Sequence, residues 1–168
     1  MEIKDLKIFM VEDNELFAHM ISAALASQYG YNVVVFYTGE DMLKRIHEKP
    51  DVVLLDFQLD SSNLNCMNGD KVLEQIMQLQ PHTKVVIISS QDDLEQAIEL
   101  LKYGACDYIC KDLQSVNNIA TTLQRLIELM NLKSEVSYYK NKSSKEQKRL
   151  AIMMSVVFVG LVVSYFLG

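Results

Sequence analysis

The chain has 168 residues, 49% of them hydrophobic, and a formal net charge of −6. This length suits one domain with its own core plus an appendage, and the composition is ordinary for a globular protein. The charge is uneven, because residues 1–135 carry 21 acidic and 11 basic side chains, whereas residues 136–149 carry one acidic and five basic ones. An acidic globular part excludes nucleic acid as the expected partner, since phosphate backbones bind to basic surfaces.

Five short apolar runs alternate with helical patterns along the first 134 residues. The predicted strands are Leu6–Val11, Val33–Tyr37, Val52–Leu55, Val85–Ile88 and Tyr108–Cys110. The helices are predicted from Asn14 to Gly30, over Gly39–Glu48, from Gly69 to Pro81, over Asp92–Tyr103 and from about Leu113 towards Ser134. This order predicts an α/β fold, a doubly wound five-stranded parallel sheet with helices on both faces.

Polar side chains follow four of these strands. Glu12 and Asp13 follow the first, Asp56 the third, Ser89 the fourth and Lys111 the fifth. Parallel strands bring their carboxyl ends to one edge of the sheet, where such folds bind ligands. We therefore expect these five side chains to converge.

The expected cluster has the chemistry of a phosphoryl-transfer site. Glu12, Asp13 and Asp56 are hard oxygen donors that suit Mg²⁺, and an aspartate carboxylate can attack phosphorus to form an acyl phosphate. Lys111 and Ser89 can stabilise the phosphoryl oxygens. The alternative is that each residue is an ordinary solvated polar group at a strand end.

The residues around this cluster resemble a known family. The motifs lie at Met10–Asn14, Leu54–Asp56, Ile88–Ser89 and Gly104–Lys111. Together they resemble the receiver domain of bacterial two-component response regulators, over about residues 4–131. The resemblance implies a flavodoxin-like sheet and a phosphorelay role.

The resemblance also implies specific roles at the site. Asp56 would be the phosphoacceptor from a histidine kinase or phosphotransfer protein. Mg²⁺ would be held by Asp13, Asp56 and the backbone carbonyl of Gln58, with Glu12 acting through a bound water. The domain would catalyse only its own phosphorylation and dephosphorylation, and would not be an enzyme for any other substrate.

Two further residues are implied to act as a switch. Ser89 would move toward the phosphoryl group, and Tyr108 would rotate inward behind it. This movement would repack the surface formed by the fourth helix, the fifth strand and the fifth helix, to which an unknown downstream protein would bind.

The chain departs from the family pattern on two sides of the site. Lys111 is followed by Asp112 where the family has proline, so the cis peptide bond usual there is not expected. The loop 57–68 is longer and more polar than usual, with Asp60 at another proline position. This loop could contact a partner, or it could be a tolerated surface insertion.

The last residues differ sharply from the rest. Leu150–Leu167 has no charged residue, and at about 1.5 Å per residue its 18 residues would span roughly 27 Å, close to the thickness of a bilayer core. The basic residues before it, and cysteine usage without CxxC spacing, predict a receiver facing a reducing cytoplasm from the inner membrane. The predicted parts are a receiver domain at 1–133, a basic juxtamembrane linker at 134–149 and a transmembrane helix at 150–167.

Two patterns bear on self-association. Gly160 and Ser164 have the spacing of small residues at which transmembrane helices pack, so the sequence allows a homodimer. Apolar residues also recur at spacings of three and four near the end of the receiver, namely Val116, Ile119, Leu123, Leu126 and Met130. This stripe is predicted to cover the sheet, and the alternative is the start of a two-stranded coiled coil.

The sequence thus predicts a membrane-anchored single-domain response regulator that signals through protein binding. Two alternatives remain open. The chain could be a phosphate sink for a shared kinase, or a membrane adaptor that uses the receiver fold without phosphorylation.

Overall fold

A computed structural model describes residues 6–59, 67–90 and 93–167, with side chains up to residue 155. The strands are β1 (Ile8–Val11), β2 (Val33–Phe36), β3 (Val52–Asp56), β4 (Lys84–Ser89) and β5 (Asp107–Cys110). The helices are α1 (Glu15–Tyr29), α2 (Gly39–Lys44), α3 (Gly69–Leu79), α4 (Leu94–Lys102) and α5 (Ser115–Leu167). All strand pairs are parallel, in the order β2-β1-β3-β4-β5. The predicted doubly wound α/β sheet is confirmed.

The central strand explains the order of the sheet. Every residue of β3 is buried, as a strand covered on both faces must be. Its neighbour β1 is also buried throughout, and β4 is buried after Lys84; the registers pair Val11 with Leu55 and Asp56 with Ile88. The acidic end of β3 is therefore level with the ends of the strands beside it.

Alternate residues of the strands pack against opposite layers of helices. One core cluster contains Phe9 and Val11 of β1, Val53 and Leu55 of β3, and buried side chains of α2, α3 and α4. The intervening strand residues, including Met10 and Leu54, are equally buried and must face the other layer. Both faces of the sheet are thus covered, which holds its carboxyl edge rigid.

Local signals define most helix ends. The Asn14 side chain accepts a hydrogen bond from the backbone N–H of Phe17 at 3.1 Å, and Gly30 ends α1 at φ +73°. The helical spacing of Leu16, Met20, Ile21, Ala24 and Leu25 predicts an apolar stripe on α1, and this is partly wrong, because Leu16 and Met20 are exposed. The second helix is shorter than predicted, since α2 ends at Lys44 and a separate 3-10 turn follows at Ile46–Glu48.

The fifth helix is longer than predicted. It continues as α5 from Ser115 to Leu167, so the predicted linker at 134–149 is helical. The chain consists of two compact units, Met1–Arg125 and Leu126–Gly168. Within the first unit Ile119 and Leu123 are fully buried, which agrees at these two residues with the prediction that the stripe covers the sheet. The domain boundaries at 133 and 149 stay predictions.

Two predicted features fall partly or wholly outside the described residues. Residues 60–66 of the long loop 57–68 are among them, as are the side chains of 156–168 in the predicted membrane span. Within the part of the chain that the structure describes, no helix is long and apolar enough to cross a membrane.

Candidate functional site

The site lies where the direction of winding changes. The chain passes from β1 outward to β2, then returns across β1 to β3, so a crevice opens beyond the carboxyl ends of β1 and β3. Glu12 directly follows β1, and Asp56 is the last residue of β3. The acidic residues therefore stand at the switch point of the sheet, as the sequence predicted.

Backbone hydrogen bonds continue the strand pairing past the strand ends and fix the residues of the site. The bonds run from Glu12 N to Phe36 O at 3.0 Å, from Phe57 N to Ile88 O at 2.9 Å, and from Lys111 N to Ser89 O at 2.7 Å. Each strand end that carries a site residue is thus tied to the strand next to it, so the side chains start from fixed positions.

Three carboxylates converge at this edge. One oxygen from each of Glu12, Asp13 and Asp56 lies within 4.8 Å of the other two. Glu12 and Asp56 are buried, and Asp13 is half-buried. Such a set of hard oxygen donors fits Mg²⁺, which is bound by one or two carboxylates together with waters and phosphate oxygens.

Lys111 supplies the positive charge of the cluster. Its Nζ donates a hydrogen bond to Glu12 Oε1 at 2.8 Å and another to Asp56 Oδ2 at 2.8 Å. It is also 2.8 Å from Glu12 Oε2. The Lys111 side chain is only 14% exposed, so these contacts are shielded from water and are stronger than surface ion pairs. One ammonium group therefore bridges two buried carboxylates.

The Glu12 carboxyl group is poorly compensated. Its Oε2 atom is buried and lies in the ion pair with Lys111, but it accepts no hydrogen bond from any described residue. Burial raises the pKa of Glu12 from 4.5 to about 7, with Lys111 opposing this shift and the charge of Asp56 adding to it. An additional cation at the cluster would favour the charged form, which is a second reason why these residues fit a metal ion.

The Asp56 carboxylate is held on both sides. Its Oδ1 atom accepts a hydrogen bond from the backbone N–H of Gln58 at 3.0 Å, while Oδ2 accepts from Lys111. These bonds fix the orientation of the carboxylate at the strand end. The contact at Gln58 involves its backbone nitrogen. Metal binding by the backbone carbonyl of Gln58 therefore stays a prediction.

The two expected switch residues occupy different environments. Ser89 is fully buried at the end of β4, next to the backbone of Lys111. Tyr108, in β5, is half-buried and packs against the core cluster. Ser89 thus belongs to the same edge as Asp56, whereas Tyr108 lies one strand further out.

Sequence reasoning missed one aromatic contact. The Lys111 ammonium lies 4.7 Å from the centre of the Phe17 ring, a cation–π distance. Phe17 is in the first turn of α1, three residues after the capping residue Asn14. The cap predicts where α1 begins, but no sequence pattern indicates that the Phe17 ring contacts the Lys111 ammonium.

Comparison with known proteins agrees with this geometry. Residues 8–124 match the family described as the response regulator receiver domain. The chain belongs to this family. The receiver is 33% identical to the transcriptional regulatory protein ZraR of Salmonella typhimurium over 119 residues. The matched region covers 70% of this chain and 26% of that protein. It is 30% identical to the regulatory protein AtoC of Escherichia coli, over 79% of this chain and 27% of that protein.

Solved structures share the receiver fold. NtrX from Brucella abortus matches with a TM-score of 0.67 and 27% identity, over 77% of this chain and 29% of that one. The BeF3-activated DrrB receiver domain matches with a TM-score of 0.63 and 28% identity, over 73% of this chain and 97% of that one. The chain thus spans about a quarter of the curated relatives and nearly the whole of an isolated receiver.

Proposed function

We propose that this receiver is phosphorylated on Asp56 by a histidine kinase or a phosphotransfer protein. The observation that carries the proposal is the contact set of Asp56, whose two oxygens are held by Lys111 and by the backbone of Gln58 beside two further carboxylates. A carboxylate held in a fixed position at the strand end is already oriented for attack on phosphorus.

The proposed chemistry is simple. An oxygen of Asp56 forms a bond to phosphorus as the bond from phosphorus to the donor's histidine nitrogen breaks. Lys111 then pairs with a phosphoryl oxygen, while the Ser89 hydroxyl donates a hydrogen bond to another. The domain acts on no other substrate.

Mg²⁺ is the proposed cofactor. Asp13, Asp56 and the backbone carbonyl of Gln58 would hold it, with Glu12 acting through a water. When bound, the ion supplies positive charge that offsets the carboxylates and the incoming phosphoryl group. The clustering of three donor oxygens and the buried Oε2 of Glu12, which accepts no hydrogen bond from a described residue, support this assignment.

The test is to offer the purified full chain acetyl phosphate with Mg²⁺ and to measure the phosphorylated mass. We expect one phosphoryl group per chain, no labelling of Asp56→Asn, and no labelling in EDTA. Asp41→Asn is the matched control, because Asp41 is an exposed aspartate on α2 whose only ion pair in the described residues is with Lys44. Labelling that persists in Asp56→Asn would refute the site.

We further propose that the phosphorylated receiver signals by binding another protein. Movement of Ser89 and Tyr108 would alter the surface of α4, β5 and the first turns of α5. The matched relatives are named as regulatory proteins, and ZraR as a transcriptional one. For this chain we propose no direct nucleic-acid contact, because residues 1–135 carry ten more acidic than basic side chains.

Attachment to the inner membrane, with the receiver in the cytoplasm, is part of the same proposal. Its support is in the sequence, where Leu150–Leu167 is free of charge and follows a stretch rich in lysine. The test is fractionation of cells that express the full chain, followed by carbonate extraction. We expect the chain in the membrane pellet and the double variant Val157→Asp, Val162→Asp in the supernatant. Equal distribution of the two chains would contradict the proposal.

The kinetics of the phosphorylated form separate the alternatives. A regulator needs a partner whose binding depends on phosphate at Asp56, whereas a phosphate sink would lose its phosphate rapidly and bind nothing in that state. An adaptor would bind its partner equally well as wild type and as Asp56→Asn.

A further inference from the structure

A stripe of large apolar side chains lies exposed on α5 after the receiver core. Leu129, Leu132, Val136 and Tyr139 are 56%, 58%, 66% and 65% exposed. Their spacings of three, four and three residues place all four on one face of the helix. Four exposed apolar groups in a row on one helix face indicate a surface that is covered by something else.

The spacing identifies the kind of surface. In a heptad written abcdefg, Leu129 and Val136 occupy a positions, and Leu132 and Tyr139 occupy d positions. A β-branched residue at a with leucine at d, as in Val136 and Leu132, favours two strands. The same register reaches Leu150 and Met153, which are also exposed, after Ser143 and Glu146.

The charges beside the stripe identify the occupant. Glu128 and Glu135 fall at g positions, and Lys133 and Lys140 fall at e positions. All four side chains are exposed, and none forms an ion pair within the described part of the chain. In a parallel coiled coil, a g residue of one helix faces the e residue five positions later in its partner.

We propose that residues 128–140 form a parallel two-stranded coiled coil with a second copy of this chain. In that arrangement Glu128 faces Lys133 of the other copy, and Glu135 faces Lys140, so each pair is complementary in both directions. An antiparallel pair would instead set glutamate against glutamate and lysine against lysine, which the charge pattern disfavours.

This surface is separate from the features already described. The stripe considered in the sequence, which includes Ile119 and Leu123, is buried in the receiver at those two residues, whereas the stripe from Leu129 to Tyr139 is exposed. The segment 128–140 contains no residue of the phosphorylation site, so the proposed dimer requires neither phosphate nor metal. It would bring two receivers into one complex in either signalling state.

Charge reversal tests the proposal in the full chain. The variant Lys133→Glu, Lys140→Glu carries only glutamate at these positions, and the variant Glu128→Lys, Glu135→Lys carries only lysine. Sedimentation of the full chains in detergent, without phosphodonor, measures their association. Both variants keep the apolar C-terminal run, so any association through that run is common to both.

We expect each variant alone to associate at least about tenfold more weakly than wild type, because every interhelical pair becomes repulsive. Mixed together, the two variants should form a heterodimer about as stable as the wild-type dimer. A monomeric wild type, or equal self-association of wild type and both variants, would overturn the proposal.

Cysteine cross-linking provides an independent measurement of the register. In a chain whose native cysteines are replaced by alanine, Val136→Cys places a thiol at the predicted a position, and Ser134→Cys places one on the opposite face. Mild oxidation should give a disulfide-linked dimer with Val136→Cys and several-fold less with Ser134→Cys. Equal cross-linking of the two chains would exclude the parallel register.

Discussion

The start of α3 lies directly against the backbone that carries the phosphoacceptor, since a Cβ atom on Gly69 would be 2.9 Å from the carbonyl oxygen of Asp56. It would also lie 2.7 Å from the carbonyl oxygen of Phe57. These neighbours are main-chain atoms, so no flexible side chain can move aside. Glycine at this position therefore allows α3 to approach the strand end that presents Asp56.

Replacing Gly69 with alanine should displace this backbone. We expect Gly69→Ala to lower the free energy of unfolding by about 1–3 kcal/mol, the usual cost of overpacking, and to slow phosphorylation of Asp56. Urea unfolding and the rate of labelling by acetyl phosphate measure the two effects.

Gly30→Ala is the matched control for this substitution. Gly30 has a left-handed backbone conformation, with φ +73°, which favours glycine. A Cβ atom there would meet nothing within 4 Å. Alanine should cost about 1 kcal/mol of stability through backbone strain alone and leave the labelling rate unchanged. Equal labelling rates in both variants would contradict a role for Gly69 at the site.

The pH dependence of stability should reveal the burial of Glu12. Its pKa is about 7 in the folded, metal-free protein against 4.5 for an ordinary glutamate, so the folded state binds the proton more tightly. This contribution to stability is fully present below pH 4.5 and is lost as the pH rises through 7. We expect the melting temperature in EDTA to fall over this range.

Glu12→Gln serves as the control, because glutamine does not titrate. Its melting temperature in EDTA should depend less on pH between 4.5 and 7 than that of wild type. Parallel curves for the two proteins would show that Glu12 does not titrate in this range.

Removing Lys111 should leave two buried carboxylates without their shared cation. We expect Lys111→Met to lower the free energy of unfolding at pH 8 in EDTA by about 1–3 kcal/mol, the cost of leaving a buried acceptor unpaired. The loss should be smaller at pH 5, where a protonated Glu12 needs no counter-charge. Urea unfolding at the two pH values measures the difference.

Lys44→Met is the comparison for this variant. Lys44 also forms an ion pair, with Asp41 at 2.8 Å, but both side chains are largely exposed. Its replacement should change stability little at either pH, because exposed pairs are screened by water. A pH-independent loss in Lys111→Met would argue that lost packing against Phe17 dominates.

Asp107 connects β5 to α5 just before Tyr108. Its Oδ1 accepts the backbone N–H of Tyr108 at 3.0 Å, and its Oδ2 accepts hydrogen bonds from Thr122 at 2.8 Å and Arg125 at 2.5 Å. We expect Asp107→Ala to cost about 1–3 kcal/mol, because the buried Thr122 hydroxyl loses its acceptor. Arg125→Ala, which removes only the exposed pair, should cost less than about 1 kcal/mol. Equal losses in urea unfolding would assign the whole effect to the ion pair.

The sheet was predictable because each strand is a local pattern. Val52–Leu55 is apolar throughout, and such a run must be covered on both faces, which places it at the centre of a parallel sheet. Helix ends marked by Asn14 and Gly30 were predictable for the same local reason. The buried face of α1 was not predictable from the pattern, because Leu16 is apolar yet exposed. Only packing decides which face of a helix turns inward.

The sequence by itself determined which residues meet at the edge of the sheet, because parallel strands align their ends and Glu12, Asp56, Ser89 and Lys111 each stand at one. Only the tertiary structure decided how these groups contact one another. That Lys111 bridges two buried carboxylates, lies over the Phe17 ring and leaves one oxygen of Glu12 without a hydrogen bond depends on side-chain directions and distances across the fold. Such contacts join residues that are distant in the chain, and a local sequence pattern does not predict them.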